Sequence, residues 1–169
     1  MKTFVITLSS VFPTTHPSAG KETFFWNKLT MAFKGKETAT ILSSKRGTIT
    51  LNGGKFHTIR TNYPLWEKRI SQVQNGEAVL SIRQWSGKPY RSKQNEIARL
   101  TAEDEVGIQE LRLTDLSKPT TINGERVELP TLAKNDGLSF NDWFNWFKGC
   151  DLSKPFAIIH FTKFRYGND

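Results

Sequence analysis

The chain has 169 residues, 37% of them hydrophobic and 24% charged, which is enough to bury a real core and points to one domain over residues 1–169. Its net charge of +8 attracts polyanions such as nucleic acid, although a basic surface also serves solubility alone. A lone cysteine, Cys150, excludes an intrachain disulfide or a cysteine-rich metal site, and no stretch approaches the roughly 20 apolar residues of a membrane span; both features fit a cytoplasmic protein with no membrane partner.

The apolar run over residues 3–8 is short and broken by Thr and Ser. It lacks a small-residue cleavage site, so a first strand over residues 3–10 is expected and not a signal peptide. A Pro-bearing loop that contains His16 then leads to a helix over 22–32. Residues 34–47, rich in Lys, Gly, Ser and Thr, read as an exposed loop, and 48–51 as a short strand. Pro64 suits the first turn of a helix whose apolar residues are Leu65, Trp66, Ile70 and Val73, with Gly76 as its stop. Strands follow at 78–85 and 106–113, and Asn123-Gly124 marks a hairpin turn. Ser139 caps a last helix with Phe140, Trp143, Phe144 and Phe147 as its buried face, and 156–161 is a buried strand. Short strands interrupted by isolated helices give an α+β fold, a small and mostly antiparallel β-barrel decorated with helices.

Chemistry concentrates between residues 53 and 60. Behind the pair Gly53-Gly54 stand Lys55, His57, Thr58 and Arg60. A strand through Thr58-Ile59-Arg60 sets the hydroxyl and guanidinium on one face and Ile59 on the other, with Lys55 on the loop before them. That is a plausible anion or carbonyl site, although the same residues at a strand start are equally a solvated edge. From 53 to 99 nine bases face three acids, and Lys88, Tyr90, Arg91 and Lys93 form a basic run with an aromatic in it. His16, His57 and His160 lack metal-ligand spacing, so neither a metal nor a cofactor is expected. His160, in an apolar strand, reads as a hydrogen-bonded core residue, His16 as a cleft-edge or loop-stabilising one, and Trp143 and Trp146 as packing.

Gly53, Lys55, Thr58, Ile59 and Arg60 resemble the signature of the activating-signal-cointegrator homology (ASCH) domain, a PUA-like β-barrel. Gly76-Glu77-Ala78-Val79 resembles its second element, with Glu77 where the family has Asp. The segments 12–17, 57–63, 85–92 and 135–139 are similar to a longer group of ASCH-like proteins from Bacteroides-type bacteria and their mobile elements.

The resemblance implies a cleft for RNA, single-stranded nucleic acid or a modified nucleotide. Lys55, Thr58, Arg60 and Asp136 would line it, with His16, Tyr90 and Arg91 at its edge. Lys55 and Arg60 would grip phosphate, His57 or Tyr63 would stack on a base, and Lys88, Arg91 and Lys93 would meet the backbone. It also implies an alternative. Some small bacterial members are amidohydrolases of N4-acetylcytidine that use a lysine, a threonine and a glutamate. Lys55 and Thr58 stand at the first two positions, and Asp136, one methylene shorter, at the third. A third class, a protein-interaction module of a mobile element, would show a sizeable exposed apolar patch. The sequence leaves the oligomeric state open.

Overall fold

The computed structural model describes residues 1–43 and 45–167. The opening apolar run forms β1 (Lys2–Thr7) and stops short of residue 10. The helix expected from residue 22 begins later, as α1 (Phe25–Lys34), because Phe24 takes a left-handed φ of 59° and the Thr23 hydroxyl is engaged by Ser9 O at 2.7 Å. Gly35, with φ of 64°, ends it.

The loop expected over 34–47 is corrected: it contains β2 (Thr38–Ser43), paired antiparallel with β3 (Gly47–Asn52). The segment's polarity hid an alternation in which Ala39 and Ile41 turn inward between exposed Thr38, Thr40 and Leu42. Ser44, part of that expected loop, lies outside the described residues, as do Asn168 and Asp169.

β4 (His57–Arg60) follows the glycine pair, and α2 (Tyr63–Gln74) starts with Pro64 in its first turn and the Asn62 side chain accepting from Leu65 N. β5 (Ala78–Trp85) is buried along its first five residues, and β6 (Gln94–Leu100) returns beside it. β7 (Gly107–Leu111) precedes the hairpin of β8 (Thr120–Ile122) and β9 (Glu125–Val127). That hairpin turns through Asn123 and Gly124 at φ of 48° and 78°. Next come α3 (Leu129–Asn135), α4 (Phe140–Phe147) and β10 (Phe156–His160).

α4 buries Trp143 and Phe147, one turn apart. Phe140 and Phe144, expected inside, lie on the adjacent line and stay 37% exposed, a correction to the four-residue buried face.

The strands make an α+β fold of several sheets, with orders β1-β5-β6, β4-β10-β7, β2-β3 and β8-β9; these pairings trace no closed barrel among the described residues. Most pairs are antiparallel, but β1 runs parallel to β5, with Lys2 opposite Ala78 and Thr7 opposite Arg83. β10 is the centre of the second sheet, buried at every residue, and α2 packs against β5, β7 and β10. The apolar residues of these layers form one cluster that includes Ile6, Ile70, Leu80, Leu111, Trp143 and Ile158. Among the described residues no helix is long and apolar enough to cross a membrane.

Candidate functional site

Two glycines bring the site together. Gly53 turns the chain out of β3 at φ of 81°, a value that a side chain resists. Gly54 then passes so close to α1 that a Cβ there would lie 3.0 to 3.1 Å from the Ala32 main chain. Lys55 N donates to Lys28 O at 2.9 Å and Phe56 N to Asn135 O at 2.8 Å, so the loop is stitched to α1 on one side and α3 on the other. An isolated antiparallel bridge joins Lys55 to Asp136, the residue that closes α3.

The side chains of that bridge are buried together. Lys55 Nζ donates to Asp136 Oδ1 at 2.8 Å and to Asp136 O at 2.7 Å, and sits 4.2 Å from the centre of the Phe25 ring. Burial pulls the Lys55 ammonium below its ordinary pKa, while the Asp136 charge and hydrogen bond oppose that fall and Arg60 adds to it. Burial alone would raise Asp136; the Lys55 charge, with help from His57, outweighs it and holds the carboxyl below the usual range. At 2.8 Å the two groups have the geometry of a buried ion pair.

Beneath it lies a second network, buried at His57 and Tyr166 and half-buried at Asn135. Asn135 Nδ2 donates to Tyr166 Oη at 3.0 Å, which leaves the phenol proton for His57 Nε2 at 2.8 Å. His57 then carries its own proton on Nδ1, 3.7 Å from Asp136 Oδ1. Burial lowers the His57 pKa, and burial raises that of Tyr166, so both stay neutral around the ion pair.

Lys55, Thr58, Arg60 and Asp136 line one cavity of about 310 Å³. Thr7 and Ser9 complete its polar side, and Phe25, Trp146, Phe147 and Cys150 its apolar side. Thr58 and Arg60 line the cavity together, as expected, but Ile59, which belongs to the core cluster, reaches its wall as well, so the strand does not split cleanly into a core face and a cavity face. Among the described residues no hydrogen bond reaches the Thr58 hydroxyl. Arg60 Nη2 donates to Thr7 O at 2.8 Å, and its Nε is buried without a partner.

Other sequence candidates fall elsewhere. His57 is 0% exposed and offers no ring face to a base, so a stacking role for it is corrected. Tyr63 stands on the outer start of α2, its hydroxyl 3.5 Å from Glu67, and does not line the cavity. His16 is a strut. Its Nδ1 accepts from Ser18 N at 2.9 Å, so Nε2 holds the proton and donates to Asp142 O at 3.0 Å. It lies behind Trp146, outside the cavity, which corrects its placement at the cleft edge.

Lys88, Tyr90, Arg91 and Lys93 are exposed on the turn between β5 and β6, with the Tyr90 ring 5.3 Å from Trp85. None of them lines the cavity, but the base of their hairpin reaches its rim, where Gln94 Nε2 donates to Thr7 Oγ1 at 3.3 Å. His160 is a core residue held to Gln109 Oε1 at 2.9 Å. Burial raises the Cys150 thiol and keeps it protonated.

Phe25 and Trp146 line the cavity although nothing in their local sequence marks them. Among the described residues no cluster of His, Cys, Asp and Glu is placed to hold a metal ion. No family model, curated protein or solved structure matches the chain.

Proposed function

We propose that the chain is an ASCH-type, PUA-like domain that takes one base of an RNA or other single strand, or a modified nucleotide, into the Lys55 cavity. The observation that carries this reading is the convergence of Lys55, Thr58 and Arg60 from one segment and Asp136 from a distant one on a single small cavity. Its volume of about 310 Å³ is at the lower end for small-molecule sites, matched to one nucleoside and far too small for a duplex.

The polar groups suit a pyrimidine edge. Lys55 Nζ spends two of its three donors on Asp136 and keeps one, Thr58 offers an unengaged hydroxyl, and Asp136 has a second carboxylate oxygen for an exocyclic amine. Phe25 and Trp146 supply apolar walls for the ring, and Arg60 a cation for a carbonyl or phosphate. Calorimetric titration with cytidine 5′-monophosphate tests this. Wild type should bind, and Thr58→Val should bind about tenfold more weakly with an unchanged melting temperature. A wild type that does not bind refutes the reading.

A second reading, hydrolysis of an N4-acylated cytidine, is favoured by the free Thr58 hydroxyl lining the same cavity as a buried lysine. Thr58 Oγ1 would attack the acyl carbonyl as its proton passes to Lys55. Collapse would expel the cytosine amine with that proton, and water would release the acetate from Thr58. Lys55 must shed its proton first. Burial and Arg60 favour that step and Asp136 opposes it. Acetate release from N4-acetylcytidine, lost in Thr58→Val, would establish it.

A further inference from the structure

A second concavity opens beside the cavity. It holds about 540 Å³ between α1 and the β2–β3 hairpin, and Phe25 is a wall of both. Ser9 lines the cavity and the next residue, Ser10, lines the groove, so the two are contiguous along this segment as well. The β5–β6 strands, which carry the exposed basic turn, contribute Gln84 to the groove.

The groove's chemistry is that of a single nucleic-acid strand. Lys34 and Lys36 at the end of α1 and Lys45 in the β2–β3 turn are exposed along it. Its one acid is Glu22, whose carboxylate is engaged by the Ser43 hydroxyl at 3.0 Å. Among these cations Trp26 stands 45% exposed, immediately after the shared wall residue Phe25. An exposed indole between spaced ammonium groups provides a stacking face for a base and counter-charges for the phosphates on either side. A protein partner of ordinary surface composition would not need three cations around one indole, whereas a polyanion with planar rings does.

We propose that this groove holds the nucleotides flanking the one in the Lys55 cavity, with Trp26 stacking on a neighbouring base and Lys34, Lys36 and Lys45 pairing with backbone phosphates. The ligand is then an oligonucleotide, and not a free nucleoside. This rests on the cavity reading and extends it to the class of ligand.

The test compares cytidine 5′-monophosphate with a fluorescein-labelled oligocytidylate of about ten nucleotides, a length that spans a typical single-strand site. Wild type should bind the oligonucleotide at least tenfold more tightly. A Lys34→Gln, Lys36→Gln, Lys45→Gln triple variant changes only exposed side chains. It should lower the slope of log affinity against log salt by about 2 and weaken the oligonucleotide at least tenfold, since each phosphate contact on a single strand contributes about 0.7 to that slope. Trp26→Ala should weaken it roughly tenfold. Both variants should bind the mononucleotide within about twofold of wild type.

Mononucleotide binding with no gain from the added length, or variants that bind the oligonucleotide like wild type, overturns the groove and leaves the cavity standing. Groove-dependent oligonucleotide binding that ignores Thr58→Val overturns the cavity and leaves the groove. Absence of binding to either probe overturns both.

Discussion

Lys55 Nζ donates to two oxygens of one residue, the carboxylate of Asp136 at 2.8 Å and its main-chain carbonyl at 2.7 Å, and the backbones of the same two residues form a β-bridge. The charge pair and the chain crossing are thus one structure, and loss of the carboxylate strands an ammonium that is 2% exposed. Removing one partner of such a pair costs about 3–5 kcal/mol, because the remaining charge stays desolvated. Asp136→Asn should lose that much in urea denaturation, and the double variant Lys55→Met, Asp136→Leu should recover most of it. A loss under about 1 kcal/mol for Asp136→Asn would mean that the pair does not hold the site together.

Acid should destabilise the fold well before the carboxylates titrate. Burial drops His160 to about 2, so the folded chain keeps it neutral while an unfolded chain protonates it below about pH 6.5. The unfolded state then holds more protons, and stability falls as pH falls, by up to about 1.4 kcal/mol per unit for this one group. His57, lowered by burial, acts in the same direction. Asp136, held low by Lys55, adds a loss that begins below its unfolded value of 3.8. Urea midpoints at about pH 7, 6, 5 and 4 should decline steadily. His160→Gln keeps a donor for Gln109 without a titrating ring and should decline distinctly less. Equal slopes in the two proteins would exclude His160 as the cause.

The glycines at the crossing are packing requirements as well as turns. A Cβ on Gly54 would meet Ala32 N at 3.0 Å, main chain that cannot swing away, and one on Gly137 would meet Lys55 Cβ at 3.1 Å from a backbone at φ of 83°. Gly54→Ala should therefore push α1, with Phe25 and Trp26, off the loop and cost about 1–3 kcal/mol. Gly137→Ala should cost a similar amount, from strain at its positive φ and from displacement of Lys55. Gly149→Ala meets nothing within 4 Å and serves as the control, expected within about 0.5 kcal/mol of wild type. A melting temperature for Gly54→Ala equal to that of Gly149→Ala would contradict the close approach.

Much of this architecture was legible in the sequence where local chemistry decides it. β5 follows from its apolar run, the β8–β9 turn from Asn-Gly, and α4 from Ser139, whose hydroxyl accepts from Asp142 N at 3.2 Å. β2 was not legible because its polar residues mask the alternation, and β6 because a register shift in its pairing with β5 breaks any alternation. α3, seven residues long, has too few turns for a period to show.

In the site, Lys55, Thr58 and Arg60 could be picked out together because they are neighbours in sequence, and Asp136 only through a family resemblance. Phe25, Trp146 and the groove along α1 arise from packing between distant segments, on which a local pattern carries no information.

His16 separates a structural histidine from a ligand-binding one. Its ring is 4% exposed, accepts one backbone hydrogen bond and donates another, and lies 4.5 Å from the Phe12 ring and 6.0 Å from Trp146. It ties the proline-rich loop to the start of α4 and touches the cavity only through the back of Trp146. His16→Ala removes both bonds together with the ring packed against Phe12 and Trp146, at a cost of about 1–3 kcal/mol. The melting temperature should drop accordingly, while affinity for cytidine 5′-monophosphate measured well below that melt should change by no more than about threefold, through the Trp146 wall alone. The opposite pattern, with affinity lost beyond tenfold and an unchanged melt, would return His16 to the ligand's edge and require the loop to open when ligand binds.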